Sequence, residues 1–413
     1  MVDLHVRVHA VLLLLLVLLP PVACLVAADP SGGCKTPLPP GRTVDSFVTP
    51  DGRTRSFIVY VPSSISPSAP SPLVVLMHGG LGTGAGAETN YNMNAVADQN
   101  AFITVYPDGF SKSFNAGTCC GSAMSSGVDD VLFISLLLDR LEGALCVDRA
   151  RIFATGMSNG ALMSHRLACE LSSRIAAIAP VEGTLNVSPC TPPSGVAVLS
   201  IHGTMDLNVP VNGGVGCGVS ATSFTSLPFT MDSWASSQGC TCTYAQLGSC
   251  GVPSPLTKDD ATCTVFGACS PGREVVLCMI QNGGHTWSGT GGAQFALPGC
   301  NGNVGTWPAS QSIWEFFAQH PKASSAGVSA GGGNITSAAA AVPSSSGGSS
   351  TPTRSSGESS GGSSGGSSTP AGGSAEPDSS TGHAHRAASC SRVALGATTH
   401  VLLLAGLKLG LRI

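Results

Sequence analysis

The feature that most limits the fold is the run Leu73-Val74-Val75-Leu76-Met77, closed by His78. A strand with one wet face alternates apolar and polar side chains. A short unbroken apolar run belongs instead to a strand covered on both faces. Residues 102–106, 151–155, 175–180, 196–201 and 274–280 read the same way, and 56–61 is a further strand. Between them lie helical stretches. Residues 128–145 place Val131, Ile134, Leu137, Leu138 and Leu141 on one face, residues 161–171 form another helix, and 312–319 close the pattern. Strands alternating with helices predict an α/β chain: a mostly parallel central sheet with helices on both faces.

That pattern occupies residues 29–322. Between 213 and 272 it loosens, and Cys217, Cys240, Cys242, Cys250, Cys263 and Cys269 crowd in. The expectation there is an insertion with one helix, about 224–238, stapled by disulfides. Beyond 322 the composition shifts to Ser, Gly, Ala and Pro, with Gly-Gly-Ser-Ser repeats around 348–368. Such a segment buries too little apolar surface to offset its ordering entropy, so residues 323–382 are expected to be a disordered, O-glycosylated stalk. Asn334 opens an N-glycosylation sequon, as does Asn186, the latter weakened by Pro189. Residues 383–413 end in an apolar stretch, 393–411, preceded by the small residues Ser379, Ser380 and Gly382. That order fits a glycolipid (GPI) anchor signal, which implies membrane attachment. His400, Lys408 and Arg412 interrupt it, and an ordinary hydrophobic end is the other reading.

The N-terminus points outward from the cell. Arg7 precedes the apolar run 11–19, Pro20-Pro21 breaks it, and Val26-Ala27-Ala28 suits a signal peptidase, predicting a signal peptide over 1–28. Of 16 cysteines, Cys24 leaves with that leader and Cys390 lies in the far tail, leaving 14. An even, large number in a secreted chain reads as disulfides. Cys119-Cys120 and Cys240-Thr241-Cys242 lack the Cys-x-x-Cys pairs or His partners of zinc sites, so no metal is expected. With 19 basic and 23 acidic residues the chain has no basic stripe for nucleic acid.

The chemistry-bearing motif is Gly156-Met157-Ser158-Asn159-Gly160, between a strand and a helix. G-x-S-x-G in that setting is a nucleophile elbow, whose sharp turn lifts the serine oxygen above the sheet. A serine hydroxyl needs a base to take its proton, and the base needs a carboxylate to orient it. Of ten histidines, His285 alone follows the last strand in a Gly-rich loop, Asn282-Gly283-Gly284-His285-Thr286-Trp287. It is the expected base. Asp206, after the strand 196–201, lies between serine and histidine in the order this fold uses and is the expected acid. Asp259 and Asp260 fall in the Cys-rich insertion, and Asp232 on a solvated helix face. Asp129 and Asp130 look like first-turn helix acids. The oxyanion of a tetrahedral intermediate needs two donors. The backbone N–H of Asn159 is one. The other is expected from His78-Gly79-Gly80-Leu81, with Gly80 the chosen residue. Trp287, beside the base, is a candidate to stack on substrate, and core packing explains it equally well. No cofactor is expected.

Together these residues resemble the secreted feruloyl esterase, acetylxylan esterase and polyhydroxybutyrate depolymerase group of α/β-hydrolases. The resemblance covers about residues 53–320. It rests on 73–80, Tyr106-Pro107-Asp108-Gly109, Asn115-Ala116-Gly117 with Cys119-Cys120-Gly121, Val128-Asp129-Asp130-Val131, 151–163, His202-Gly203-Thr204 with Asp206 and Val209-Pro210, and 283–287. It implies an α/β-hydrolase fold and a serine esterase whose nucleophile, acid and base are Ser158, Asp206 and His285. The implied partner is an ester substrate, a feruloylated polysaccharide or a polyester. Gly80 stands where many relatives carry Cys, and Ser288 where Pro is common, so a disulfide at residue 80 is absent or rerouted. A surface binding protein on an inherited hydrolase fold is the competing reading; the stalk and tail speak for it and the complete Ser–His–Asp set against it.

Overall fold

The computed structural model describes residues 29–35, 39–188, 190, 192–247, 249–250, 256–290, 300 and 302–322. All lie in the first of two units into which the chain divides, Met1–Gly333. The expected signal peptide, stalk and hydrophobic tail lie outside the described residues, as does the sequon at Asn334.

In chain order the strands are β1 (Gly41–Val48), β2 (Thr54–Val61), β3 (Ser71–Met77), β4 (Ile103–Pro107), β5 (Val147–Met157), β6 (Ala177–Val181), β7 (Ala197–Gly203), β8 (Gly214–Val215), β9 (Ser223–Phe224), β10 (Leu256–Lys258), β11 (Ala261–Val265) and β12 (Val275–Ile280). Helices α1 (Gly84–Asn90), α2 (Met93–Asn100), α3 (Gly121–Ser125), α4 (Asp130–Ala144), α5 (Asn159–Glu170), α6 (Leu227–Ser237) and α7 (Ala309–Gln319) accompany them. One sheet takes the order β1-β2-β4-β3-β5-β6-β7-β12-β11-β10, and β8 and β9 pair separately. From β4 to β12 neighbouring strands run parallel; β1 and β2 on one side, and β11 and β10 on the other, are antiparallel.

The unbroken apolar runs find apolar cover on both faces. Along β3, Leu73, Val75 and Met77 join a core with α4, α5 and α6, while Val74 and Leu76 join a second core with α1, α2 and α7. The period-two alternation of a strand therefore divides one run between two cores. Parallel strands covered by helices, with the β5 turn feeding α5, make this the α/β-hydrolase fold.

Two features differ from the sequence expectation. The Cys-rich stretch is not wholly an insertion, because β10 and β11 extend the main sheet beyond β12. Its helix is α6, with the side chain of Ser226 capping Phe229 N–H. Asp130 does stand in the first turn of α4, but it does more than complement the helix N-terminus. It is buried and paired with Arg55 at 2.5 Å, while Asp129 is the N-cap, accepting from Leu132 N–H at 2.9 Å. Seven disulfides join all fourteen described cysteines: Cys34–Cys146, Cys119–Cys120, Cys169–Cys190, Cys217–Cys300, Cys240–Cys269, Cys242–Cys250 and Cys263–Cys278.

Candidate active site

The C-terminal ends of five neighbouring strands, β3, β5, β6, β7 and β12, carry the site. Ser158 follows β5 and begins α5 with φ 56° and ψ −119°. A non-glycine residue held there costs on the order of 1–3 kcal/mol, a cost that surrounding structure must hold in place. Ser158 N–H donates to Val181 O at 2.9 Å, and its carbonyl accepts from Leu162 N–H at 2.9 Å. The flanking glycines are required by contact. A Cβ on Gly156 would stand 2.6 Å from Met77 O, and one on Gly160 2.3 Å from the same atom. The elbow is thus pressed against the end of β3.

Asp206 and His285 follow adjacent parallel strands, whose pairing ends at Gly203 and Ile280. Their loops are stitched together: Thr204 N–H donates to Ile280 O, Met205 N–H to Gly283 O, and Asn282 N–H to the Thr204 hydroxyl. His285 Nδ1 lies 2.8 Å from Asp206 Oδ2, both residues buried. A carboxylate only accepts, so Nδ1 carries the proton and Nε2 is left as the basic nitrogen. Asp206 Oδ1 accepts from the N–H groups of Asn208 and Val209 at 2.8 and 2.9 Å. Burial opposes ionisation of Asp206. The hydrogen bond and electrostatic attraction of the His285 ring, with contributions from His202 and Glu182, outweigh it and hold the carboxyl well below its ordinary range.

Ser158 and His285 line the same cavity, of about 550 Å³, whose walls include Gly79, Gly80, Tyr91, Met157, Leu162, Val219 and Phe224. Asn159 N–H sits in the first turn of α5, where helix donors have no internal partner. The Gly80 N–H makes no turn, loop or cap bond. A Cβ on Gly80 would meet the Asn159 Cβ at 4.0 Å, and one on Gly79 the Ser158 Cβ at 3.4 Å, so this loop passes directly over the elbow. Two backbone donors therefore flank the elbow, the kind of pair from which an oxyanion site is built.

Several side chains brace the site in ways the sequence does not announce. The Asn159 side chain clamps Phe114, accepting from its N–H at 2.7 Å and donating to its carbonyl at 2.8 Å. His78 accepts from Gly109 N–H at Nε2 and bonds Gly79 O through Nδ1, which ties the loop after β3 in place. Burial keeps His78 neutral by lowering its pKa. Glu182, after β6, is buried beside Asp206 and His202. The polar atoms of these three lie within 4.8 Å of one another, a spacing a metal ion tolerates. Their bonding does not suit one. Gly203 N–H donates to both Glu182 oxygens, His202 Nε2 bonds Val209 O, and Asp206 holds His285.

Trp287 departs from the substrate-stacking reading. It is fully buried, stacked on Tyr91 at 4.2 Å between ring centroids, and its Nε1 donates to Ser310 Oγ at 3.0 Å. It is not on the cavity wall; Tyr91 is. Burial raises the Tyr91 hydroxyl far above its ordinary pKa, against a bond from the Gly79 N–H. Trp287 therefore backs a tyrosine of the cavity wall, beside the loop after β3.

No family model matches the chain. Feruloyl esterase D of Neurospora crassa is 29% identical over 336 residues, which are 77% of this chain and 99% of that protein. Feruloyl esterase B of Piromyces equi is 30% identical over 261 residues, 59% of this chain. By sequence the chain is a relative of the feruloyl esterases. The match spans 46% of the length of the Piromyces protein. Among solved structures, an acetyl xylan esterase from Aspergillus awamori aligns over 59% of this chain at 16% identity, with a TM-score of 0.40.

Proposed function

We propose that the protein is a secreted serine esterase that hydrolyses carboxylic esters on plant cell-wall polysaccharide, feruloyl esters of xylan first. The observation that carries this is the buried Asp206–His285 pair, at 2.8 Å, beside a cavity that His285 shares with Ser158. In this reading His285 Nε2 takes the proton of Ser158 as its oxygen attacks the ester carbonyl. Asn159 and Gly80 N–H groups hold the oxyanion. His285 then returns the proton to the departing sugar oxygen, leaving an acyl-serine. Water, deprotonated by the same nitrogen, releases the acid. Asp206 stays ionised and steadies the imidazolium. The cavity of about 550 Å³, with Tyr91, Leu162 and Phe224 in its wall, has room and apolar surface for an aromatic acyl group.

The same proposal places the enzyme outside the cell. It assigns 1–28 as signal peptide, 29–322 as the esterase domain, 323–382 as a glycosylated stalk and 383–413 as a tail carrying a lipid-anchor signal. Seven disulfides support an oxidising compartment. The test is a panel of methyl ferulate, acetylated xylan and hydroxybutyrate oligomers, with fluorophosphonate labelling of wild type and Ser158→Ala. Cleavage of methyl ferulate with labelling lost in the variant is expected. Cleavage of hydroxybutyrate oligomers alone would make it a polyester depolymerase. An unlabelled wild type would leave a binding protein.

A further inference from the structure

Glu182 stands in two unfavourable circumstances at once. Its backbone has φ 54°, where glycine is favoured, and its carboxyl is buried at 1% exposure. No arginine or lysine pairs with it among the described residues. Its neighbours are Asp206 from the loop after β7 and His202 from β7 itself, the polar atoms of the three lying within 4.8 Å of one another, with His285 beyond them on Asp206. Gly203 N–H donates to its two oxygens at 2.9 and 3.0 Å.

The bonding decides where the charge resides. His202 Nε2 lies 2.9 Å from Val209 O, which only accepts, so the proton is on Nε2. That nitrogen is 3.7 Å from Glu182 and 3.5 Å from Asp206, beyond a hydrogen bond to either. His202 Nδ1 has no partner, and burial lowers the His202 pKa, so the ring is neutral. Two carboxyls in a dry site without a dedicated cation do not both ionise. Asp206 has two backbone N–H groups and His285 to stabilise its charge; Glu182 has one N–H. The negative charge belongs on Asp206 and the proton on Glu182.

We propose that Glu182 is a positioning residue for the esterase reaction, a neutral carboxylic acid whose O–H donates to Asp206 and holds that carboxylate ionised and aimed at His285. This rests on the triad reading above, since Asp206 is the group it serves. Burial first, then the charge of Asp206, push the Glu182 carboxyl well above its ordinary pKa, in keeping with that assignment.

Glu182→Gln keeps a neutral side chain whose carbonyl accepts from Gly203 N–H and whose amide donates to Asp206. Glu182→Leu keeps neither. With the donor lost, Asp206 carries a less stabilised charge and holds the imidazolium more strongly, so the acidic limb of the kcat/KM profile moves to higher pH. The leucine variant is expected to lose roughly tenfold or more in kcat/KM, with the limb displaced upward. The glutamine variant is expected to restore most of the activity and the wild-type limb. A limb moving to lower pH in both variants would mean that an anionic Glu182 had been removed, and overturns the proposal. The infrared difference between wild type and Glu182→Gln reads the proton without reference to turnover. A protonated carboxylic acid stretch in the wild type at pH 7 supports the assignment, and its absence refutes it. Because that band needs neither substrate nor a folded leucine variant, it remains decisive even if no ester in the panel is cleaved.

Discussion

Replacing Asp206 by Asn tests the triad geometry at its most constrained atom. The side chain is held at both ends: Oδ1 by the N–H groups of Asn208 and Val209, Oδ2 by His285. An asparagine must keep its carbonyl oxygen toward the two N–H groups. Turning it round would face donor against donor, at roughly 1–3 kcal/mol for each buried group left unpaired. Its amide N–H₂ then meets His285 Nδ1, which must accept. The ring proton moves to Nε2, the nitrogen that takes the proton of Ser158 in the proposed reaction. The base is lost although every heavy atom stays in place. In a Ser–His–Asp protease the equivalent change lowers kcat by about 10⁴, which is roughly 5 kcal/mol of barrier. The same order is expected here, read as kcat/KM on methyl ferulate and on a nitrophenyl ester. Urea unfolding should show a folded protein. A folded Asp206→Asn enzyme that keeps more than about a tenth of wild-type kcat/KM would refute the tautomer argument.

Three further outcomes follow from the packing. Gly160→Ala places a Cβ 2.3 Å from Met77 O; displacement of the elbow should cost about 1–3 kcal/mol in urea unfolding and about a hundredfold in kcat, and an unchanged enzyme would disprove the close contact. His165 is buried with Nδ1 accepting from Trp234 Nε1 at 3.0 Å, and burial lowers its pKa from 6.5 to about 3. The unfolded chain therefore takes up this proton first: stability is full above about pH 6.5 and falls as pH drops toward 3, by about 2–3 kcal/mol between pH 6.5 and 4.5. Urea midpoints across that window should lose this slope in His165→Gln, and an identical slope would count against it. Trp287→Phe removes the bond to Ser310 and disturbs the stack on Tyr91, so about 1–3 kcal/mol of stability should go together with kcat; a raised KM at unchanged stability would return Trp287 to the substrate side.

What the sequence discloses and what it hides divide along locality. Ser158 is readable because an elbow is a local object, with two glycines, a strand before and a helix after. Asp206 and His285 are readable from chain order and from their position at strand ends. Glu182 is not, since its significance lies in β6 and β7 being neighbours, and nothing near residue 182 announces that a carboxylate lies across the gap. Asp130 reads as a helix acid for the same reason: its partner Arg55 is 75 residues away. Trp287 sits next to the base in sequence, yet a side chain beside a catalytic loop can face either way, and Ser310 on α7 takes it inward. β1 is missed because it is an edge strand with mostly exposed residues, which gives no apolar period to detect. β10 and β11 are short, polar and embedded among cysteines.

The disulfides bear on the same point. Cys217–Cys300 ties the segment beyond Asp206 to the segment beyond His285, and Cys263–Cys278 ties β11 to the strand that delivers His285. The proposed acid and base belong to different loops, each long enough to wander, and their 2.8 Å contact tolerates little movement. Adjacent parallel strands bring the loops together, close approach of Gly203 to Gly283 O removes the room between them, and covalent links outside the contact limit what remains. The Cys-rich stretch thus belongs to the placement of the acid and base as much as to the cavity wall that Val219 and Phe224 supply.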